Sequence, residues 1–403
     1  MESNKKLLLS IVLSAAVSLI YSSFCPSTTC AQPNKIITVG AERTGLYLSL
    51  LKGKSVAVVA NQTSMIKETH LVDSLLTLGV QVKKVFSPEH GFRGAYDAGA
   101  HVSNYKDKKT GLPIVSLYGD HNKPTVDDLA GVEVVVFDIQ DVGVRFYTYI
   151  STMHYVMEAC AENGITFLLL DRPNPNGFYV DGPVMEDEFV SFVGLHPVPL
   201  VHGMTMAEYA KMINGQGWLK GGVKCKIIHI LCERYSHRDF YQLPVKPSPN
   251  LPNMTSVYLY PSLGLFEGTF ISVGRGTDKP FQVIGHPKME NSNYTFKPKS
   301  VPGAKEPPFK GKTCHGHDLS KFGDLILKGY GKIYLYWLTG AYKDSPDKSK
   351  FFNSYFNRLA GNSTLKQQII DQLTEDVIAA SWKADIDKFK KIRKGYLLYP
   401  DFE

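Results

Sequence analysis

Carboxylates, histidines and arginines gather in three short stretches of this chain, each just after an apolar run. The first is Ser87-Pro88-Glu89-His90-Gly91-Phe92-Arg93-Gly94. The second runs from Asp138 through Gln140, Asp141 and Arg145 to Phe146 and Tyr147, and the third is Asp171-Arg172-Pro173-Asn174-Pro175. A carboxyl group on a tight turn beyond a buried strand is partly desolvated, which raises its pKa and suits it to donate a proton. Glu89 fits that description. Glycosidic bonds are commonly cleaved between two carboxyl groups, one protonated and one ionised. Asp141, Asp138 and Glu267 are the candidates for the second group, and the sequence does not rank them. Asp138 and Asp171 could equally cap turns or pair with Arg145 and Arg172. His90 and His202 could hold a catalytic carboxyl or a sugar hydroxyl, or act as structural hydrogen-bonders. Arg145, Arg172 and Arg275 each offer a fork that grips a carboxylate through two parallel N–H bonds. Tyr147 and Tyr149 follow Arg145 and present aromatic faces that suit sugar rings. Further on, the stretches around Asn250, Glu267 and Arg275 are polar loops stiffened by Pro and made compact by Gly. Loops of that kind are costly unless they position something.

The elements that must carry these groups alternate in the first half. Strands are predicted at 55–60, 80–86, 113–117, 132–137 and 165–170, with helices over 69–78 and 148–163. Continuous apolar strands alternating with helices predict a parallel sheet covered on both faces. In such sheets ligands bind beyond the carboxyl ends of the strands, where the three clusters fall. The second half reads as α+β. A helix over 204–213 is capped by Thr205 with Glu208 three residues on. Strand-like segments lie at 223–230 and 269–273. Residues 244–261, rich in Pro and Asn, read as ordered loop, and helices are expected at 365–380 and 383–391. The expected organisation is a Rossmann-like α/β domain over 32–200 and a smaller α+β domain over 201–403.

The first 31 residues stand apart. Lys5 and Lys6 precede an apolar run from Leu7 to Ile20, and a small-residue stretch ends at Ala31. This is the layout of a secretory signal peptide, which implies an exported protein, periplasmic or secreted. A lipid on Cys25 or Cys30 is the alternative. No later run is long enough to span a membrane. The formal net charge is +7, spread along the chain rather than gathered in a stripe that would suit nucleic acid. Cys160, Cys225, Cys232 and Cys314 follow the leader. Cys225 and Cys232 lie in one apparent strand, seven steps of roughly 3.3 Å apart, too far for a disulfide, and none is expected. No G-x-G-x-x-G follows the first strand, and no phosphate loop, G-x-S-x-G elbow or H-E-x-x-H is present, so no dinucleotide, serine-hydrolase or zincin reading is supported. Cys314-His315-Gly316-His317-Asp318 is rich in metal-ligand types but looks loop-like, and no metal is assigned to it.

Taken together the motifs resemble the family of exo-acting β-N-acetylmuramidases of the NamZ type, formerly a domain of unknown function. The matching stretches are SPEHGFRG at 87–94, TGLPIVSLYG at 110–119, FDIQDVGVRFYTY at 137–149 and DRPNP at 171–175. HGMTMAEYA at 202–210, LFEGTFISVGRGTDKPF at 265–281 and Tyr-Pro-Asp at 399–401 also fit. The resemblance covers roughly residues 38–403. It implies a cleft between two domains, hydrolysis of terminal β-linked N-acetylmuramic acid from peptidoglycan saccharides, and no organic cofactor. The family's motif glutamate falls on Glu89. Asp141 and His202 are its expected catalytic partners, with His90, Arg93, Gln140, Arg145, Tyr147, Asn174, Asn250, Glu267 and Arg275 expected around the substrate. A cell-wall esterase or amidase, and a non-catalytic saccharide-binding protein, are the rival readings. Oligomeric state is not legible.

Overall fold

Strands rich in Val, Ile, Leu and Phe suit a pleated surface covered on both sides, and they build the centre of this protein. The computed structural model describes residues 36–93, 104–290, 292–323 and 328–403. The expected leader over 1–31 and Gly94 of the first motif lie outside the described residues. The strands of the main sheet are Ser55–Ala60 (β1), Gln81–Ser87 (β2), Tyr105–Lys106 (β3), Pro113–Ser116 (β4), Val134–Asp138 (β5), Thr166–Leu170 (β6) and Ile227–Ile230 (β7). They form one seven-stranded sheet in the order β7-β6-β5-β1-β2-β4-β3. Every pairing is parallel except that of the edge strand β3 with β4. The fold class is α/β with a Rossmann-like parallel sheet, as expected. β7 comes from beyond residue 200, where the sequence places the start of the second domain.

Alternate residues of each strand enter opposite layers. Val56, Val58, Val134, Val136 and Leu168 pack with Leu71, Val72 and Leu75 of helix α1 (Leu71–Thr77). Ala57, Val59, Val135, Phe137, Phe167 and Leu169 pack with helix α2 (Tyr149–Glu162) and helix α3 (Met206–Gln216). The chain leaves β1 toward β2 and β4, then returns to lay β5 and β6 on its other side. The order therefore reverses beside β1, and a crevice opens at such a switch point.

The second half closes over that edge. It contains helix α4 (Met254–Leu263), a three-stranded antiparallel sheet and C-terminal helices. In the sheet, Val283–His286 (β8) and Tyr294–Phe296 (β9) flank Cys314–Asp318 (β10). Residues 37–403 form one compact unit.

Thr205 and Glu208 make the expected reciprocal cap at the start of α3, and Gly217 ends the helix with φ 70°. Glu208 is fully buried and also accepts from His237 and from the N–H groups of Leu398 and Tyr399, tying the C-terminal segment to the helix. Asp401 completes the tie by taking both Nη atoms of buried Arg393, at 2.7 and 2.8 Å.

Other expectations fail for identifiable reasons. The stretch 244–261 is not all loop: α4 begins within it, capped by Asn253, and runs through Pro261. Proline removes the N–H that would reach the Val257 carbonyl, and Asn176 Nδ2 supplies a substitute donor at 3.2 Å. Thr269–Val273 is no strand, because Thr269 and Ser272 make only isolated bridges, to Phe352 and Gly285. The helix expected over 365–380 is two, Thr364–Ile370 and Glu375–Ser381, since the Thr374 side chain caps a new start. Residues 69 and 70 belong to a small ribbon before α1. The Cys314–Asp318 stretch is the central strand β10 rather than loop. Cys160, Cys225, Cys232 and Cys314 are free and buried.

Arg145 and Arg393 are the largest fully buried side chains among the described residues. Arg145 Nη1 donates to the carbonyls of Pro183 and Val198 at 2.7 and 2.8 Å, and its Nη2 to those of Leu359 and Ala360 at 3.0 and 2.6 Å. Burial pulls its pKa down to about 10, so it stays charged at neutral pH. Gly361, with φ 80°, leaves the space: a Cβ there would lie 2.5 Å from Nη2. Replacing Arg145 by Met removes the side-chain donor from four carbonyls, of which Val198 O keeps the Met185 N–H at 3.2 Å, and should lower stability by about 3–5 kcal/mol, read as a fall in the urea midpoint. An unchanged midpoint would show that the contacts are dispensable.

Candidate active site

The turn after β2 is over-determined. Gly91 N–H donates to Pro88 O at 3.0 Å, and His90 and Gly91 both take left-handed backbone, with φ 70° and 75°. Glycine adopts that conformation freely, but a histidine held there costs about 1–3 kcal/mol. The turn carries Glu89 beyond the carboxyl edge of the sheet. Thr148 Oγ1 donates to Glu89 Oε2 at 2.8 Å, and the Tyr118 phenol also hydrogen-bonds the carboxyl group. Tyr118 follows β4 and Thr148 follows the long loop after β5. Three strand ends thus converge on one carboxylate. Burial and then the Glu89 charge push the Tyr118 pKa well up, so that phenol remains a donor.

Glu89 and His90 face a cavity of about 120 Å³. Tyr147 and Thr148 wall it from the sheet side, and Tyr260, Glu267, Arg275 and Tyr355 from the second half. Arg275 is oriented on two sides. Its Nε donates to Glu267 Oε1 at 2.8 Å, and its guanidinium lies 5.0 Å from the centre of the Phe281 ring. Burial opposes the charge on Arg275, but the Glu267 carboxylate outweighs it and raises the pKa. Its Nη1 has no hydrogen-bond partner among the described residues. The Tyr355 phenol is pushed up to about 12 by burial, then by Glu267 and Glu89. Both carboxylates therefore act on one ring. Tyr260 packs edge-on against Tyr147, Phe146 and Phe281 at 5.0–5.8 Å between centres.

The expected site residues divide. Glu89, His90, Tyr147, Glu267 and Arg275 come together in this pocket. Arg145 does not: its guanidinium is committed to backbone carbonyls and is sealed from solvent. His202 is buried, its Nδ1 accepts from Met204 N–H at 3.2 Å, and burial followed by the charges of Arg393 and Arg145 pulls its pKa down to about 3. The ring lies outside the pocket wall. Asn174 is used for structure, bonding Met204 O and Asn176 N–H. It also fills the space beside Gly143, where φ is 75° and any Cβ would strike the Asn174 amide at 2.2 Å. Gln140 bridges the carbonyls of Asp141 and Pro173. Arg93 pairs with Asp107 at 2.9 Å. Asn250 donates to Gly303 O and borders a neighbouring groove.

Asp141 is buried, and its Oδ2 accepts from Gly143 N–H at 2.6 Å. Burial pushes its pKa up to about 7, but it is not among the side chains that wall the pocket. Asp138 takes both forks of buried Arg172, at 2.6 and 2.9 Å, and Asp171 accepts from Tyr399 and from the Ala207 N–H of α3. Both fill the structural roles that the sequence left open. Tyr118, Thr148, Tyr260 and Tyr355 were not singled out in the sequence. Tyr118 stands two residues past the end of β4, a position that could have marked it. Tyr355 has no local signal, because it reaches the pocket from a segment 266 residues beyond Glu89.

In sum the pocket holds one carboxyl group fixed by two hydroxyls, a second beside an arginine, and a ring of tyrosines. That set suits acid–base chemistry on a hydroxyl-rich substrate that carries a carboxylate. Comparison with known proteins agrees. Residues 56–255 match the family model described as exo-β-N-acetylmuramidase NamZ, N-terminal, and residues 258–399 its C-terminal counterpart. The chain is 39% identical over 382 residues to the peptidoglycan β-N-acetylmuramidase NamZ of Bacillus subtilis (strain 168), covering 88% of this chain and 89% of that one. It is also similar to the crystal structures of two DUF1343 family proteins from Bacteroides fragilis. One shares 46% identity with a TM-score of 0.85, covering 91% of this chain and 99% of that one. The other shares 28% identity with a TM-score of 0.77, covering 91% and 100%. This chain belongs to the exo-β-N-acetylmuramidase NamZ family.

Proposed function

We propose that this protein is an exo-acting glycoside hydrolase that releases β-linked N-acetylmuramic acid from the non-reducing ends of peptidoglycan fragments. The observation that carries the reading is Glu89, held by Tyr118 and Thr148 in a pocket that also contains the Glu267–Arg275 pair. The activity of the Bacillus relative supports it. In this reading Glu89 exchanges a proton with the glycosidic oxygen or with the attacking water. Glu267, paired with Arg275, stabilises the positive charge that develops on the sugar ring. The tyrosines exclude water and face the ring.

Muramic acid differs from glucosamine by a lactyl ether that ends in a carboxylate. With Arg145 and Arg172 engaged inside the protein, Arg275 is the arginine of the expected set that faces the pocket, and its Nη1 is the donor assigned to that carboxylate. The leader over 1–31 supports export, to the periplasm or beyond. No helix among the described residues is long and apolar enough to cross a membrane.

The direct assay is chromophore release from an aryl β-N-acetylmuramide and from the matching glucosaminide. The wild type should cleave the muramide, and Glu89→Gln should lower kcat by roughly 10²–10⁴-fold. Failure to cleave either compound would favour a binding protein or an esterase, and full activity in the variant would remove Glu89 from the chemistry. Inhibition tests the lactyl contact separately. N-acetylmuramic acid should inhibit the wild type more strongly than N-acetylglucosamine, and Arg275→Leu should bring the two constants together. A preference that survives the substitution would place the carboxylate elsewhere.

A further inference from the structure

The pocket around Glu89 is small. At about 120 Å³ it lies below the roughly 300–1,000 Å³ of sites that enclose a small molecule, so a saccharide chain must continue outside it. The same two loops that wall the pocket also wall a second cavity. Ser248, Leu251, Arg275 and Phe281 face the pocket, while Pro249, Asn250, Gly276 and Thr277 face a groove of about 590 Å³. The segment running out of β9 closes the groove on its far side. That segment is fastened to the arginine turn: Lys299 N–H donates to Gly276 O at 2.9 Å. Gly276 has φ 83°, and a Cβ there would lie 2.6 Å from Lys299 O, so no side chain fits between the two walls.

The charge in the groove is cationic. Lys297 and Lys299 line it, both are exposed, and neither makes an ion pair among the described residues. Asp278 is the one acid in the lining, and Thr277 and Tyr294 add a hydroxyl and a ring. Neighbouring Lys279 is already engaged, with Asp318 at 2.6 Å. Peptidoglycan glycan alternates two sugars, so a chain whose terminal muramoyl unit sits at Glu89 carries its next lactyl carboxylate two sugars along. We propose that this groove receives the leaving saccharide, and that Lys297 and Lys299 hold the carboxylate of the next muramoyl residue, which makes the enzyme favour chains of three or more sugars. The assignment rests on the muramidase reading above and adds a second point of recognition to it.

The test compares peptide-free MurNAc-GlcNAc disaccharide with the corresponding tetrasaccharide. In the wild type kcat/KM should favour the tetrasaccharide by roughly 3- to 10-fold, the effect expected of two partly exposed ion pairs. In Lys297→Glu/Lys299→Glu, with an unchanged melting temperature as the check on folding, the ratio should fall to about one. Added salt should lower the wild-type ratio in the same direction. Equal rates on the two substrates in the wild type, or a preference that survives the double substitution, would overturn the assignment while leaving the muramidase reading intact. Failure to cleave even the disaccharide would sink both.

Discussion

A single buried guanidinium holds the two sides of the pocket in register. Arg145 reaches four carbonyls on two distant segments, the ribbon around Pro183 and Val198 and the helix end at Leu359 and Ala360. The residues beside its own backbone, Tyr147 and Thr148, form the sheet-side wall and hold Glu89. The residues just before its partners, Tyr355 among them, form part of the opposite wall. A charge can be buried this deeply because four carbonyls meet its two Nη groups, although its Nε finds no partner among the described residues. The same requirement fixes how far apart the walls stand.

Around that anchor the acidic residues sort by partner. Asp138, Asp171 and Glu208 sit inside the protein: Arg172 satisfies the first, Tyr399 and the Ala207 N–H the second, and His237 with the N–H groups of Leu398 and Tyr399 the third. They fix the strand ends and the C-terminal segment. Glu89 and Glu267 are held instead by groups at the pocket surface, two hydroxyls for one and an arginine for the other. The interior carboxylates thus fix the framework on which the two pocket carboxylates stand.

The sheet was legible because period and composition agree. The Val-rich strands, the glycines that end helices and the Thr205–Glu208 cap are local signals, and the three polar clusters lie where a parallel sheet leaves its strand ends. Helix α4 was hidden by Pro261, whose missing bond is replaced by Asn176, a partner distant in sequence. Arg145, His202, Asn174 and Gln140 lie outside the pocket lining, which the sequence could not show because a guanidinium, imidazole or amide has the same chemistry whether it meets a substrate or the protein's own backbone. Only burial separates the two uses, and burial is a property of the fold. Tyr355 illustrates the same limit from the other side, since nothing in its neighbourhood foretells a role beside Glu89.

The central claim is that the terminal muramoyl unit lies between Glu89 and Arg275. A crystal structure of the Glu89→Gln protein with a bound MurNAc-GlcNAc saccharide tests it most directly. The account predicts the glycosidic oxygen about 3 Å from the side chain at position 89 and the lactyl carboxylate in contact with Arg275 Nη1. A saccharide found elsewhere, such as the large cavity beside Trp337, or one whose lactyl group points away from Arg275, would contradict it.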